Sequence, residues 1–139
     1  MNIEEKILKY KKELDYFNDV MDKYKYLLDQ GKKAKSFPEE YRQKVFLVKG
    51  CQAQVWLVPI FKDGVIKFFS DSDAFISKGA VTILCDIYGN NKPKEIIDSD
   101  FEKLNSLELD NILTPSRRNG VYSMLSYIKK YANSCLKTN

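Results

Sequence analysis

Histidine is absent from all 139 residues. Its absence removes Cys/His zinc sites and every mechanism with imidazole as general base, a Cys-His hydrolase included. Cysteine is scarce: Cys51, Cys85 and Cys135, with no CxxC pair. Three widely spaced thiols are not a disulfide framework. No apolar run approaches the roughly 20 residues of a membrane span. The opening Met1-Asn2-Ile3-Glu4-Glu5 places acids where a signal peptide needs bases and an apolar core. No signal peptide and a cytoplasmic location are therefore expected. A glycine-rich phosphate loop, paired carboxylates, a nucleic-acid module, internal repeats and low-complexity segments are also missing. The net charge of +4 is mild and suits an acidic protein partner better than nucleic acid.

What is present describes a soluble globular chain, with 44% hydrophobic and 30% charged residues. Its length fits one domain, 1–139, able to bury roughly two thirds of its unfolded surface without a covalent staple. Ile3, Ile7, Tyr10, Leu14 and Phe17 recur at helical spacing. Val20, Tyr24, Leu27 and Leu28 continue the pattern, with Gly31 as a stop. Two N-terminal helices are thus expected over 3–31. A basic connector, Lys32 to Pro38, reads most simply as a solvated loop.

A three-stranded antiparallel sheet is expected over 45–69. Its strands are 45–48, 55–61 and 65–69, with an Asp63-Gly64 hairpin. Pro59 points to a strand edge or end. A helix over 72–88, apolar around most of its circumference, should be buried, with Asp71 or Ser72 as its cap and Asp73 in its first turn. Gly79 inside it implies close packing against a neighbour. Pro93 starts a short helix. Thr114-Pro115 starts the last one, 115–133, with a fraying tail from Asn133. The fold class is α+β, a small antiparallel sheet packed against helices.

Cys51 sits in Gly50-Cys51-Gln52-Ala53-Gln54, between two apolar runs. Most unpaired cysteines pack as small buried hydrophobes. A thiol at a turn, by contrast, can meet a reagent. Cys85 falls on the apolar helix and reads as core; Cys135 lies near the tail. Arg117 and Arg118 occupy a helical first turn, where cations are disfavoured by about 0.3–1 kcal/mol. That cost points to a use elsewhere: binding a carboxylate, pairing with a thiolate, or tying down a loop. For Asp71 and Asp73, capping outweighs a binding role.

Three stretches together resemble the SufE family of sulfur acceptors. They are Gly50 to Trp56; Ser70-Asp71-Ser72-Asp73-Ala74 with Lys78-Gly79; and Thr114-Pro115-Ser116-Arg117-Arg118-Asn119-Gly120. The resemblance implies a SufE/IscU-like fold and a role in iron–sulfur cluster assembly. Cys51 would accept persulfide sulfur from a SufS-type cysteine desulfurase, stimulate that enzyme, and pass sulfur to a SufBCD-type scaffold. Gly50, Gln52 and Gln54 would support the acceptor loop; Asp71, Asp73 and Arg117 would support it or face the partner. Pyridoxal phosphate would belong to the desulfurase, leaving this chain without a cofactor or metal of its own. It would be an accessory protein rather than a stand-alone enzyme, with neither nucleic acid nor membrane as partner and a homodimer left open. The chain departs from the family's habits at Ala53 (usually serine), Lys92 (usually threonine), Glu108 (often glycine) and Ile112 (often histidine).

Two other readings compete. A non-covalent module could activate a partner without carrying sulfur. An iron–sulfur scaffold would need about three or four converging ligands, more than one loop cysteine supplies without histidine.

Overall fold

In a computed structural model, which describes residues 1–137, the chain opens with a helical pair. Helix α1 (Ile3–Asp15) starts from a reciprocal cap: the Glu5 N–H donates to the Asn2 side chain (2.8 Å) and the Asn2 N–H to the Glu5 carboxylate (3.0 Å). Helix α2 (Val20–Lys33) starts at Asp19, whose carboxylate accepts the Met21 N–H at 2.9 Å. A connector with two 3-10 turns, Glu39–Tyr41 and Lys44–Phe46, leads to a hairpin.

Strands β1 (Val55–Lys62) and β2 (Val65–Ser72) pair antiparallel from Val55↔Ser72 to Lys62↔Val65. Asp63 (φ 54°) and Gly64 (φ 80°) turn the chain with positive φ at both positions, matching the right-handed twist of the flanking strands. Pro59 lies opposite Phe68 in mid-strand. It is tolerated there because the missing N–H would point away from β2.

Helix α3 (Phe75–Tyr88) forms the centre. Ile76, Ala80, Ile83, Leu84 and Ile87 are all buried, and α1, α2, both strands and the last helix pack around it. Its apolar perimeter is covered on most sides, leaving one partly wet stripe along Lys78, Thr82 and Asp86. Helices α4 (Pro93–Asp98) and α5 (Leu109–Ile112) then lead to α6 (Pro115–Lys137), which closes the body.

Several expectations are corrected. The sheet has two strands among the described residues, not three. Phe46 N–H to Gln43 O (3.0 Å) and Leu47 N–H to Lys44 O (3.1 Å) wind the stretch from 45 into a 3-10 turn, and a single bridge, Leu47↔Trp56, survives. Val45 is 71% exposed, so its β-branched side chain has no pleated surface to fit. The hairpin runs on to Ser72, which puts Asp71 and Ser72 in β2 and delays α3 to Phe75. Its N-cap is Ala74, without a side-chain bond, and Asp73 precedes the helix. Gly31 does not stop α2. It lies inside the helix because α2 crosses α3 there, where a Cβ would strike the Phe75 carbonyl oxygen. Helix α6 stays regular past Asn133 to Lys137; the rest of the expected tail lies outside the described residues. Glu108, where the family often has glycine, adopts φ 55° and ψ 37°, the left-handed conformation glycine takes most easily.

Candidate functional site

Cys51 rides on the loop 49–54, which is pinned at both ends. At its base the Val48 N–H donates to the Val55 carbonyl (2.8 Å), and the Lys49 N–H donates to the Tyr127 hydroxyl of α6 (3.2 Å). At the far end Gln54 is held by β2 and the residue that follows it. Its N–H donates to Asp73 Oδ1 (3.0 Å), and its carbonyl accepts from the Asp73 N–H (3.2 Å) and the Ser72 hydroxyl (2.8 Å). Between the pins, Gly50 takes φ 94°, and a Cβ on it would lie 2.6 Å from Ser123 Oγ. The conformation favours glycine there, and a Cβ would in addition push the Ser123 hydroxyl aside.

The Cys51 side chain is half-buried, while Gln52 and Gln54 beside it are exposed. Its Sγ donates to the Gly120 carbonyl at 3.6 Å, a long, weak bond. Gly120 sits on the buried side of α6, and a Cβ there would come within 3.4 Å of the sulfur. That is ordinary contact distance, so the Cys51 loop packs directly on the helix at this position.

Arg117 stands in the first turn of α6, where the Thr114 hydroxyl accepts the Arg117 N–H at 3.4 Å. Its guanidinium donates to Ser77 Oγ at 3.0 Å, and Ser77 is a buried polar residue on α3. Burial pushes the Cys51 thiol above its ordinary range; the Arg117 charge pulls it part of the way back. Of the alternatives open for Arg117, the structure thus brings it to its own chain and within electrostatic reach of the thiol. Arg118 lies beside it with a buried Nε that has no hydrogen-bond partner among the described residues.

Asp71 is used differently. Burial works to raise its carboxyl, but the Arg42 guanidinium, the Ser72 N–H and the Lys78 ammonium outweigh that and hold it below the ordinary carboxylate range. Arg42 meets it at 2.8 Å and Lys78 at 3.3 Å. Arg42 also lies over the Trp56 ring at 4.8 Å from its centroid. Asp71 therefore ties the connector and α3 to the sheet, while Asp73 fastens the Cys51 loop.

The other thiols differ. Cys85, on α3, is pushed up to about 12, by burial foremost. Burial also raises Cys135. Of Cys51 and Cys85, Cys51 is the one with a cation drawing its pKa down. No three metal-ligating side chains converge among the described residues, and no helix there is long and apolar enough to cross a membrane.

Sequence reasoning missed Ser77 and Tyr127, and had Gly120 only as the end of a motif, with no role. A serine on an apolar helix needs a buried partner, which marks it as worth a question. Nothing in the sequence says that the partner is Arg117.

Removing the guanidinium should disfavour the thiolate. Arg117→Ala is expected to move the pH midpoint of Cys51 alkylation upward and to slow alkylation by iodoacetamide at neutral pH, with Arg117→Lys falling between. The pH–rate profile of the single reacting thiol, in variants with Cys85 and Cys135 replaced by alanine, measures this. Superimposable profiles would mean that Arg117 does not act on the sulfur.

Against known proteins, the sequence profile described as "SufE: Fe-S metabolism associated domain" matches residues 8–132. The chain is 38% identical over 117 residues to the "Cysteine desulfuration protein SufE" of Wigglesworthia glossinidia brevipalpis, covering 83% of this chain and 81% of that protein. It is also similar in structure to a hypothetical protein from Thermus thermophilus solved in solution. The TM-score is 0.77 at 15% identity, over 95% of this chain and 96% of that one, a likeness of fold.

Proposed function

Because the chain belongs to the SufE family, whose domain is associated with Fe-S metabolism, we propose that it accepts sulfur from a cysteine desulfurase on Cys51. The observation that carries the reading is the position of that thiol. It sits on a loop pinned at both ends, next to a cation, and held inward by one weak hydrogen bond.

The step is a thiol exchange. The Cys51 thiolate attacks the terminal sulfur of the desulfurase persulfide. A new S–S bond forms at Cys51 as the old one breaks, and the released desulfurase thiolate takes up a proton. No external oxidant or reductant enters, because the transferred sulfur keeps its oxidation level. A free thiol near pKa ~8.5 is only a few per cent ionised at neutral pH, so the reaction depends on how the site treats the thiolate. In the free protein, burial keeps Cys51 protonated and quiet.

Docking then draws the sulfur away from Gly120 and into the partner's cleft. Only the weak Sγ bond need break, since the loop can move about Gly50 while Val48 stays paired with Val55 and Gln54 with Asp73. Exposed Gln52 and Gln54 are placed to meet the partner at the same surface. The loaded sulfur then passes to a SufBCD-type cluster scaffold.

Incubation with a SufS-type desulfurase, its pyridoxal phosphate and free cysteine tests this. Mass spectrometry under non-reducing conditions should find one added sulfur, and peptide mapping should place it on the Cys51 peptide. Sulfur on Cys85 or Cys135, or none on this chain, defeats the assignment.

A further inference from the structure

Two local costs meet in one bond. Ser77, 6% exposed, lies in the first turn of α3, and its helix neighbours Ile76, Ala80 and Val81 are buried too. A hydroxyl buried without a hydrogen bond costs about 1–3 kcal/mol. Arg117 stands in the first turn of α6, the end of a helix that disfavours a cation. It is also a long side chain, with about 2 kcal/mol of rotamer entropy to lose when it is held. The bond from the Arg117 guanidinium to Ser77 Oγ, at 3.0 Å, gives the hydroxyl its partner and fixes the cation.

The place where the cation is fixed matters because of what lies beside it. Gly120 follows Arg117 by three residues, which puts both on one face of α6. Cys51 Sγ donates to the Gly120 carbonyl. The kind of anchor matters as much. Arg117 forms no ion pair among the described residues. A carboxylate would grip a guanidinium more tightly. Its negative charge, however, would offset the cation at the sulfur. A hydroxyl fixes the position and leaves the charge whole. The other charged residues around the loop are differently engaged. Lys49, on the loop itself, is exposed. Asp73 is bonded to the Gln54 N–H, and Lys78 of α3 pairs with Asp71. The Arg118 charge acts on the Tyr122 hydroxyl. Arg117 is the charge that acts on Cys51.

We propose that Ser77 is a positioning residue of the Cys51 site: its buried hydroxyl fixes the Arg117 guanidinium beside the sulfur without neutralising it. The tether runs to α3 and not to the loop, so the cation stays with the body of the protein when Cys51 moves outward. The inference rests on Cys51 being the reacting thiol, and it is tested on that thiol without the desulfurase.

The full chain carries alanine at Cys85 and Cys135, so that one thiol reacts, and alkylation by iodoacetamide is followed against pH. Ser77→Ala should move the midpoint upward and slow alkylation at neutral pH by about twofold or more, because the thiolate is the nucleophile. In the Arg117→Ala background the same change should add nothing, since the two residues act through one cation. Ser77→Thr restores the hydroxyl and should bring the profile back toward the wild type. Ser77→Asp should raise the midpoint at least as far as Ser77→Ala, because its carboxylate holds the guanidinium but offsets its charge. Circular dichroism checks that each variant folds; if the threonine or aspartate variant does not, Ser77→Ala and the double variant still decide. The proposal is overturned by a Ser77→Ala profile that superimposes on the wild type, by an equal shift in the Arg117→Ala background, or by a folded Ser77→Thr no better than Ser77→Ala. A midpoint for Ser77→Asp at or below the wild type overturns the neutral anchor. Failure of Cys51 to load sulfur, with these profiles as expected, would sink the acceptor reading and leave the positioning role standing.

Discussion

Cys51→Ser is expected to take up no sulfur at all and to leave the desulfurase at its unstimulated rate. The physical reason is the nucleophile. A thiolate is accessible near neutral pH, whereas a serine hydroxyl stays protonated and does not attack a persulfide at a useful rate. The fold should be spared. The serine hydroxyl can still donate toward the Gly120 carbonyl, where Sγ donates now, so the change in stability should be within about 1 kcal/mol. Cys85→Ala is the contrasting variant. That thiol lies on α3, is pushed up to about 12 and is not loop-borne, so loading of Cys51 should persist. Intact-protein mass and desulfurase turnover, taken on the same samples, separate the possibilities. Full stimulation by Cys51→Ser would favour the non-covalent module. Loading of Cys51→Ser would show that the acceptor is a different atom.

The second large effect is on the fold. Gly79→Ala should lower the thermal midpoint by several degrees, roughly 4–8 °C, on the scale of about 4 °C per kcal/mol for a chain of this size. Two effects oppose each other. Alanine is the better helix former by about 1 kcal/mol. Its methyl, however, would be driven into the Leu27 carbonyl oxygen of α2. The obstacle is backbone in a neighbouring helix, not the end of a flexible side chain, so α2 and α3 must separate. Overpacking of this kind costs about 1–3 kcal/mol and occasionally more. Parting the central helix from α2 also loosens the packing around Leu27, which is fully buried. The steric cost should therefore win. Gly64→Ala is a useful comparison, because nothing lies within 4 Å of a Cβ there and the cost is conformational only. Thermal unfolding followed by circular dichroism measures both. A midpoint for Gly79→Ala at or above the wild type would show that the helices have room to part.

How far the sequence can be read varies along the chain. The stripe Ile3, Ile7, Tyr10 and Leu14 is buried in α1, because a helical period with one apolar face has one sensible packing. Asp63-Gly64 makes its turn, because positive φ is set by the residues themselves. Gly31 misleads. A glycine that ends a helix and one that lets two helices touch look alike until the neighbour is present. The stretch 45–48 misleads for a related reason. Its β-branched residues fit a strand only where a partner strand and a core surface meet them, and here the partner is one bridge at Leu47.

The site divides along the same line. The sequence by itself determined the unit that could carry chemistry: one cysteine between a glycine and two glutamines, in a chain without histidine and far from its other thiols. Local composition limits which atoms can react, so it can be read without a fold. Only the tertiary structure decided what surrounds that sulfur. It brought the Gly120 carbonyl, 69 residues away, to the thiol and turned Arg117 onto Ser77 beside it. It also gave Asp73 to the loop and Asp71 to Arg42. Those choices depend on how α3, α6 and the hairpin pack together, and packing is settled by the whole core at once.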